Sequence, residues 1–336
     1  MGNQLSRRRR NLEKSSTSSS TYSDNFQNSS NLSTAVPKFV QEVFPHSYEE
    51  ATRQRGEHYL LKHVFQSSHF APVDDILNEL GSETLDVGCG VQASWLLDMA
   101  NDFPNCTFYG FDILEPFSLD TDTASVSHIP TNCELIKHDV FETFPYKDKT
   151  FDYVHQRTMH MVYSSDKIAW MFQQLLRVTK DNGWIELVEP DITPRRVGPI
   201  FTKVFIGVRT LLRERLGKTL EGSSIAKRME AVGLLDITSD YGSVPVCWGG
   251  YVGKLVYEDM LVMFKHIGPA AYDYLELGGE YNEEAYDALL DSAFDECVQY
   301  QTFFNIRWTY GRKPPTTTIT TTDNENIAKK KKKHNT

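Results

Sequence analysis

The sequence predicts an α/β fold, a sheet with helices on its faces, from three observations. Short apolar runs alternate with helical patterns between residues 48 and 189. The run at 84–87 ends in Gly88-Cys89-Gly90 and leads into a helix. The strand and helix unit then recurs. The chain has 336 residues, 40% apolar and 12% aromatic, which is enough for a substantial core.

In chain order, residues 48–65 and 72–80 read as helices and 84–87 as a short buried strand, followed by a helix from Gln92. Residues 107–112 read as the second strand, 134–138 as the third, 151–155 as the fourth and 184–189 as the fifth. Between the last two, Ser164, Ser165 and Asp166 offer caps to a helix with Ile168, Phe172, Leu175 and Leu176 at helical spacing, and Asn182-Gly183 is expected to end it. More helices follow at 200–216, 223–232, 254–267 and 283–300. In the last, Tyr286, Leu290, Ala293, Phe294 and Cys297 belong to a one-sided stripe that reads as core-facing. Residues 236–241 and 302–310 read as strands at the sheet edge, with helices at 197–217 and 250–300 capping its carboxyl ends. Residues 1–36 and 315–336 are dominated by Ser, Thr, Asn and Lys and are expected to be disordered tails around a domain at 37–314.

The net charge of −10 is uneven. Residues 1–36 carry +3 and 311–336 carry +5, leaving 23 basic against 41 acidic residues between them. An acidic body repels phosphate backbones, so the core is not expected to bind nucleic acid. No stretch approaches the ~18 apolar residues of a spanning helix, and no apolar segment of a secretory signal follows the N-terminal arginines. A cytoplasmic protein is expected, with a nuclear location as the alternative. Five cysteines (Cys89, Cys106, Cys133, Cys247 and Cys297) form no C-x-x-C pattern, so free thiols and no metal site are expected.

The chemistry centres on residues 84–95, TLDVGCGVQASW. Glycines between a strand and a helix let backbone N–H groups approach a polar ligand. Dinucleotide sites share the pattern G-x-G-x-x-A, so the glycines alone do not choose the ligand. Asp86 helps to choose, because a carboxylate there repels a pyrophosphate and suits a cation. Asp112, 22 residues after Gly90 at the end of the second strand, can accept hydrogen bonds from both hydroxyls of a ribose. That feature is common to NAD sites, which makes an NAD-dependent oxidoreductase the weaker enzyme reading.

Asp86 to Gly90, D-x-G-x-G, resembles the first motif of class I S-adenosylmethionine (SAM)-dependent methyltransferases. Residues 50–60 (EATRQRGEHYL), 151–157 (FDYVHQR), 183–189 (GWIELVE) and 310–314 (YGRKP) resemble the fungal methyltransferases related to the LaeA secondary-metabolism regulator, across roughly 45–315. Lys180-Asp181-Asn182-Gly183 departs from the Pro-Gly-Gly of many relatives. The resemblance implies a Rossmann-like fold with a mostly parallel seven-stranded sheet and a helical cap. It implies SAM as cofactor and methyl transfer to a small-molecule acceptor; a SAM-binding regulator working through protein partners is the alternative. It further implies SAM contacts at Asp86, Gly88, Cys89, Gly90, Asp112 and Ile113. Asp139 and Val140 would meet the adenine, and His155 and Gln156 the methionine part.

Methyl transfer from a sulfonium is an in-line displacement, and positioning alone can contribute ~7–11 kcal/mol, so a dedicated base is not required. Where a proton must leave, His160 and Glu189, at the carboxyl ends of strands four and five, are the candidates. Trp248 and Tyr163 are candidate walls of an apolar acceptor pocket. At the other extreme of the chain, residues 1–6 (MGNQLS) fit the N-myristoylation pattern with Gly2 as acceptor, and four arginines follow at 7–10. One acyl chain binds membranes weakly, but each arginine adds roughly 1 kcal/mol at an anionic leaflet, so membrane-surface contact is expected of this tail.

Overall fold

The computed structural model describes residues 38–118 and 129–316. The pattern at Gly2, the arginines at 7–10 and the lysines at 329–333 lie outside the described residues.

The chain begins with α1 (Lys38–Val43) and α2 (Tyr48–Phe65), whose first turn is capped by the Ser47 hydroxyl accepting from the Glu50 amide at 3.2 Å. After the short α3 (Asp74–Asn78), β1 (Glu83–Val87), α4 (Ser94–Asp102), β2 (Thr107–Asp112), β3 (Cys133–Lys137) and β4 (Phe151–Arg157) follow. Then come α5 (Ile168–Val178), β5 (Thr179–Pro190), α6 (Pro199–Leu216), α7 (Gly222–Ala231) and β6 (Leu235–Pro245). The last elements are α8 (Tyr251–Ala271), a 3-10 turn (Tyr272–Leu275), α9 (Glu283–Tyr300) and β7 (Phe303–Arg312).

Seven strands form one sheet in the order β3-β2-β1-β4-β5-β7-β6. The first five are parallel to their neighbours, and β7 runs antiparallel between β5 and β6. This is the mostly parallel, seven-stranded Rossmann-like arrangement that was expected. Alternation along β1 sends Leu85 and Val87 into a core with Phe111, Val154 and the α5 residues Met171, Phe172 and Leu175. On the opposite face Trp95, Leu96 and Met99 of α4 pack with Phe108 and Tyr153. A third core belongs to the cap, where Phe201 of α6, Phe264 of α8 and Phe294 of α9 meet. Met161 after β4 and Val244 of β6 join it, which seats the cap over the carboxyl ends of the parallel strands.

One boundary differs from expectation. α5 stops at Val178 rather than at Asn182-Gly183, and β5 begins at Thr179, whose hydroxyl donates back to the Leu175 carbonyl at 2.6 Å. Residues 180–183 form a bulge: Phe151 pairs with Thr179, and the next pair is Tyr153 with Trp184. Gly183 is required inside it, because a Cβ there would lie 2.8 Å from the Thr179 methyl and 2.9 Å from the Asp152 carbonyl. Among the described residues no disulfide joins the five cysteines, no group of side chains could hold a metal, and no helix is long and apolar enough to cross a membrane.

Candidate active site

The glycine loop is held by the strand beside it. The amides of Gly88 and Cys89 both donate to the Phe111 carbonyl of β2, at 3.0 and 3.1 Å. Gly88 and Gly90 have φ of +71° and +74°, a region that disfavours a Cβ. Asp112, at the tip of β2, completes the clamp: Oδ2 accepts from the Gly90 amide and Oδ1 from the Leu114 amide, each at 3.0 Å. Burial raises the Asp112 carboxyl pKa, against the lowering effect of these bonds. A carboxylate has about four acceptor positions, so Asp112 keeps capacity for further donors. Ile113, half-buried beside it, packs toward the cap. Burial, together with the charges of Asp112 and Asp86, pushes the Cys89 thiol pKa up and keeps it neutral.

The loop also has walls. A Cβ on Gly88 would lie 2.7 Å from the Met159 sulfur, and one on Gly90 would lie 2.8 Å from Oε1 of Gln54 on α2. Beyond β3, Asp139 is 5% exposed; Oδ1 accepts from the Phe141 amide at 2.9 Å, while Oδ2 is buried with no hydrogen-bond partner. Val140 is buried next to it.

Asp86 has a different neighbour from the one expected. It lies on the α4 face of the sheet, opposite His155 of β4, and its Oδ1 stands 2.8 Å from His155 Nδ1. The imidazole stacks on Trp95 at 3.7 Å between centroids and 8° between planes. The carboxylate is therefore matched on Oδ1 by a buried imidazole. Glu186 of β5 is next in the same row; its Oε2 accepts from the Phe70 and Ala71 amides at 2.9 and 2.6 Å. Gln156 turns to the opposite face, where its Oε1 accepts from the Tyr163 hydroxyl at 3.1 Å and its amide nitrogen meets the Met171 sulfur at 3.3 Å.

The two candidates for proton transfer are coupled. Glu189 is fully buried, with Oε1 accepting from the Met159 amide at 2.9 Å and Oε2 from the His160 amide at 3.1 Å. His160 Nδ1 lies 3.4 Å from the same Oε2. Burial raises the Glu189 pKa against the lowering effect of His160. With both oxygens on backbone amides, Glu189 positions the turn that carries Thr158 at φ +54° and presents Met159 to the glycine loop.

Beside that turn lies an apolar cavity whose empty space, open solvent at its mouth included, is about 1150 Å³. Residues of α2, α6, α8, β6 and β7 line it, and Thr158, His160 and Met161 form the side toward β4. The two expected aromatic walls are elsewhere. Tyr163 is buried against Gln156, and Trp248 donates its indole N–H to the Thr302 carbonyl at 2.6 Å.

Some site residues had no role assigned from sequence. Gln54 walls the loop. Arg157, at the end of β4, places Nη2 3.2 Å from His58 Nδ1, and His58 Nε2 lies 3.0 Å from Asp98. Burial and the Arg157 charge push the His58 pKa down to about 4. Glu50, Arg53, Gln54 and Glu57 sit one turn apart on α2, and that spacing was the available signal.

Residues 84–183 match the family model described as a methyltransferase domain. The N-methyltransferase verN of Clonostachys rogersoniana is 30% identical over 177 residues, 51% of this chain and 57% of that one. The chain thus spans little more than half the length of this curated relative. Among solved structures, phosphoethanolamine N-methyltransferase 2 of Haemonchus contortus, in complex with S-adenosyl-L-methionine, is 17% identical with a TM-score of 0.44, covering 82% of this chain and 56% of that chain. A SAM-dependent methyltransferase from Archaeoglobus fulgidus is 12% identical with a TM-score of 0.40, covering 82% and 99%. The segment that builds the glycine loop, Asp112, Asp139 and the end of β4 is the part of the chain that matches the methyltransferase-domain model.

Proposed function

We propose that the chain is a SAM-dependent methyltransferase that acts on a small molecule held in the apolar cavity. One observation carries the choice of cofactor: beside a loop that leaves no room for a Cβ, Asp139 has a buried oxygen with no partner. Leaving such a group unsatisfied costs roughly 1–3 kcal/mol, which a ligand N–H such as an exocyclic amino group relieves. The carboxylate of Asp86, 3% exposed at the end of β1 before the loop, also opposes a pyrophosphate and thus the NAD reading.

When bound, SAM supplies an electrophilic methyl group on a sulfonium. The chain does the rest by positioning. Gly88 and Gly90 open the backbone, Asp112 offers acceptor positions to ribose hydroxyls, and Asp139 and Val140 receive the adenine. Met159, held by Glu189 through its amide, walls the loop.

Calorimetry with SAM and with NAD tests this reading: SAM should bind and NAD should not. Labelled SAM with cell extract should then yield a methylated small molecule. Preference for NAD, or indifference to SAM, removes the proposal. The segments shared with LaeA-related methyltransferases support placing the chain in that group. The Gly2 pattern and the adjacent arginines support a cytoplasmic chain that touches membrane surfaces, a reading that an unmodified Gly2 in the native protein's mass spectrum removes.

A further inference from the structure

The cavity carries an excess of negative charge at the end formed by α2, the helix that also walls the glycine loop. Next to Gln54, Arg53 has a side chain 6% exposed and is gripped by three carboxylates. Its Nε and Nη2 donate to Glu50 Oε2 and Oε1 at 2.9 and 2.8 Å. Its Nη1 donates to Glu57 Oε2 at 2.9 Å and to Asp259 Oδ1, from α8, at 2.7 Å. His266 of α8 stands 3.4 Å from Glu50 Oε2, and that carboxylate raises its pKa.

Three carboxylates thus meet one guanidinium and one imidazole. His266 is shared with a fourth carboxylate, Glu49, 3.5 Å from its Nε2, and the buried Arg157 near Glu57 is shared with Asp86, Glu186 and Asp98, so even with His266 protonated one carboxylate lacks a counter-charge of its own. Both candidates for that role, Glu57 and Asp259, line a cavity whose other walls are mostly aliphatic and aromatic. An uncompensated carboxylate in such a place either keeps a proton or draws in a cation. Burial, with help from Glu57 and Glu50 and against Arg53, holds the Asp259 pKa up at about 7.

We propose that the acceptor is a hydrophobic amine whose apolar body fills the cavity and whose nitrogen seats at Asp259 and Glu57, with Asp259 taking the proton that leaves before methylation. The proposal rests on the methyltransferase reading above. In the proton step an N–H bond of the ammonium breaks, its electron pair stays on nitrogen, and the proton forms an O–H bond on Asp259. The freed pair then forms the N–C bond to the sulfonium methyl as the C–S pair leaves with sulfur. The charged and titratable groups around Asp259 are Glu49, Glu50, Arg53 and Glu57 on α2, His266 on its own helix, Arg157 at the end of β4 acting on Glu57, and His160 on the turn after β4. His160 lines the same cavity but has its Nδ1 beside Glu189.

The test compares n-octylamine with 1-octanol, two probes of equal chain length, by calorimetry on the full chain saturated with SAM. At pH 8 the amine should bind at least about ten-fold tighter, a 1.4 kcal/mol difference. The preference should shrink toward pH 6 as Asp259 takes up a proton. Asp259→Asn should abolish both the preference and its pH dependence while SAM affinity stays unchanged. Arg53 keeps Glu50 and Glu57 in that variant, so the fold is expected to hold; Glu57→Gln, which should weaken the preference, is the second variant. Equal affinity for the two probes, or a preference that survives both substitutions, overturns the proposal while SAM binding leaves the methyltransferase reading standing. Absence of SAM binding overturns that reading and this one with it.

Discussion

The glycine loop and the cavity beside it are built by opposite means. The loop is a backbone device: its amides are fixed by Phe111 and Asp112, one strand away and within 25 residues, and its two glycines are needed because side chains stand where a Cβ would go. The cavity is a side-chain device assembled from α2, α6, α8, β6 and β7, and its charged end joins Arg53 to Asp259 across 206 residues. A cofactor common to many enzymes can be held by peptide groups that every sequence possesses. An acceptor particular to one enzyme needs side chains, and these vary freely as long as the cap stays packed.

Four perturbations separate the two regions. The largest effect is expected in the cap core. Phe294 is 1% exposed and meets Phe201, Phe264 and Tyr257, so Phe294→Ala should destabilise the chain by about 3–5 kcal/mol in urea unfolding. SAM affinity of the folded protein should be nearly unchanged; a parallel loss would mean that cap and loop form one unit.

Next comes the seam between α2 and the sheet. The His58 pKa is about 4 in the folded state against 6.5 for an ordinary histidine, so between these values the unfolded chain binds more protons. Stability from this group is complete above pH 6.5 and drains away as pH falls to 4, by about 3 kcal/mol at 1.36 kcal/mol per unit. Unfolding curves at pH 7 and pH 4.5 should converge by most of that amount when His58→Gln is compared with the parent. Parallel curves would show that burial at this seam does not control protonation.

On the loop side, Asp112→Ala removes the acceptor of the Gly90 and Leu114 amides and of the proposed ribose hydroxyls. SAM affinity should fall by roughly 2–3 kcal/mol in calorimetry, and an unchanged affinity would falsify the ribose assignment. The smallest effect belongs to the exposed ion pair of Lys265 with Asp287 at 3.0 Å on the outer side of the cap. Lys265→Ala should shift stability by less than about 1 kcal/mol. A larger shift would mean that surface charge, and not the aromatic core, holds the cap.

What could be read without coordinates follows from how local the determinants are. Short apolar runs marked β1, β2 and β4, and the glycines announced the loop, because backbone conformation and strand burial depend on adjacent residues. The end of α5 was misplaced because Asn182-Gly183 also suits a bulge, and only the pairing of β5 with β4 chooses between the two. Asp86 was identified as a site carboxylate, yet its neighbour His155 lies 69 residues away, and no spacing rule links them. Trp248 and Tyr163 had the chemistry of pocket walls, but packing turned both away from the cavity.

By itself, then, the amino-acid order determined the α/β class, the glycine loop and the acidic body, all properties of neighbouring residues or of simple composition. Tertiary structure decided which carboxylates meet around Arg53, which residues wall the cavity, and that Glu189 serves the turn after β4. Those outcomes depend on contacts between segments far apart in the chain. Such contacts form only where burial of the cap and sheet cores offsets the entropy of closing long loops.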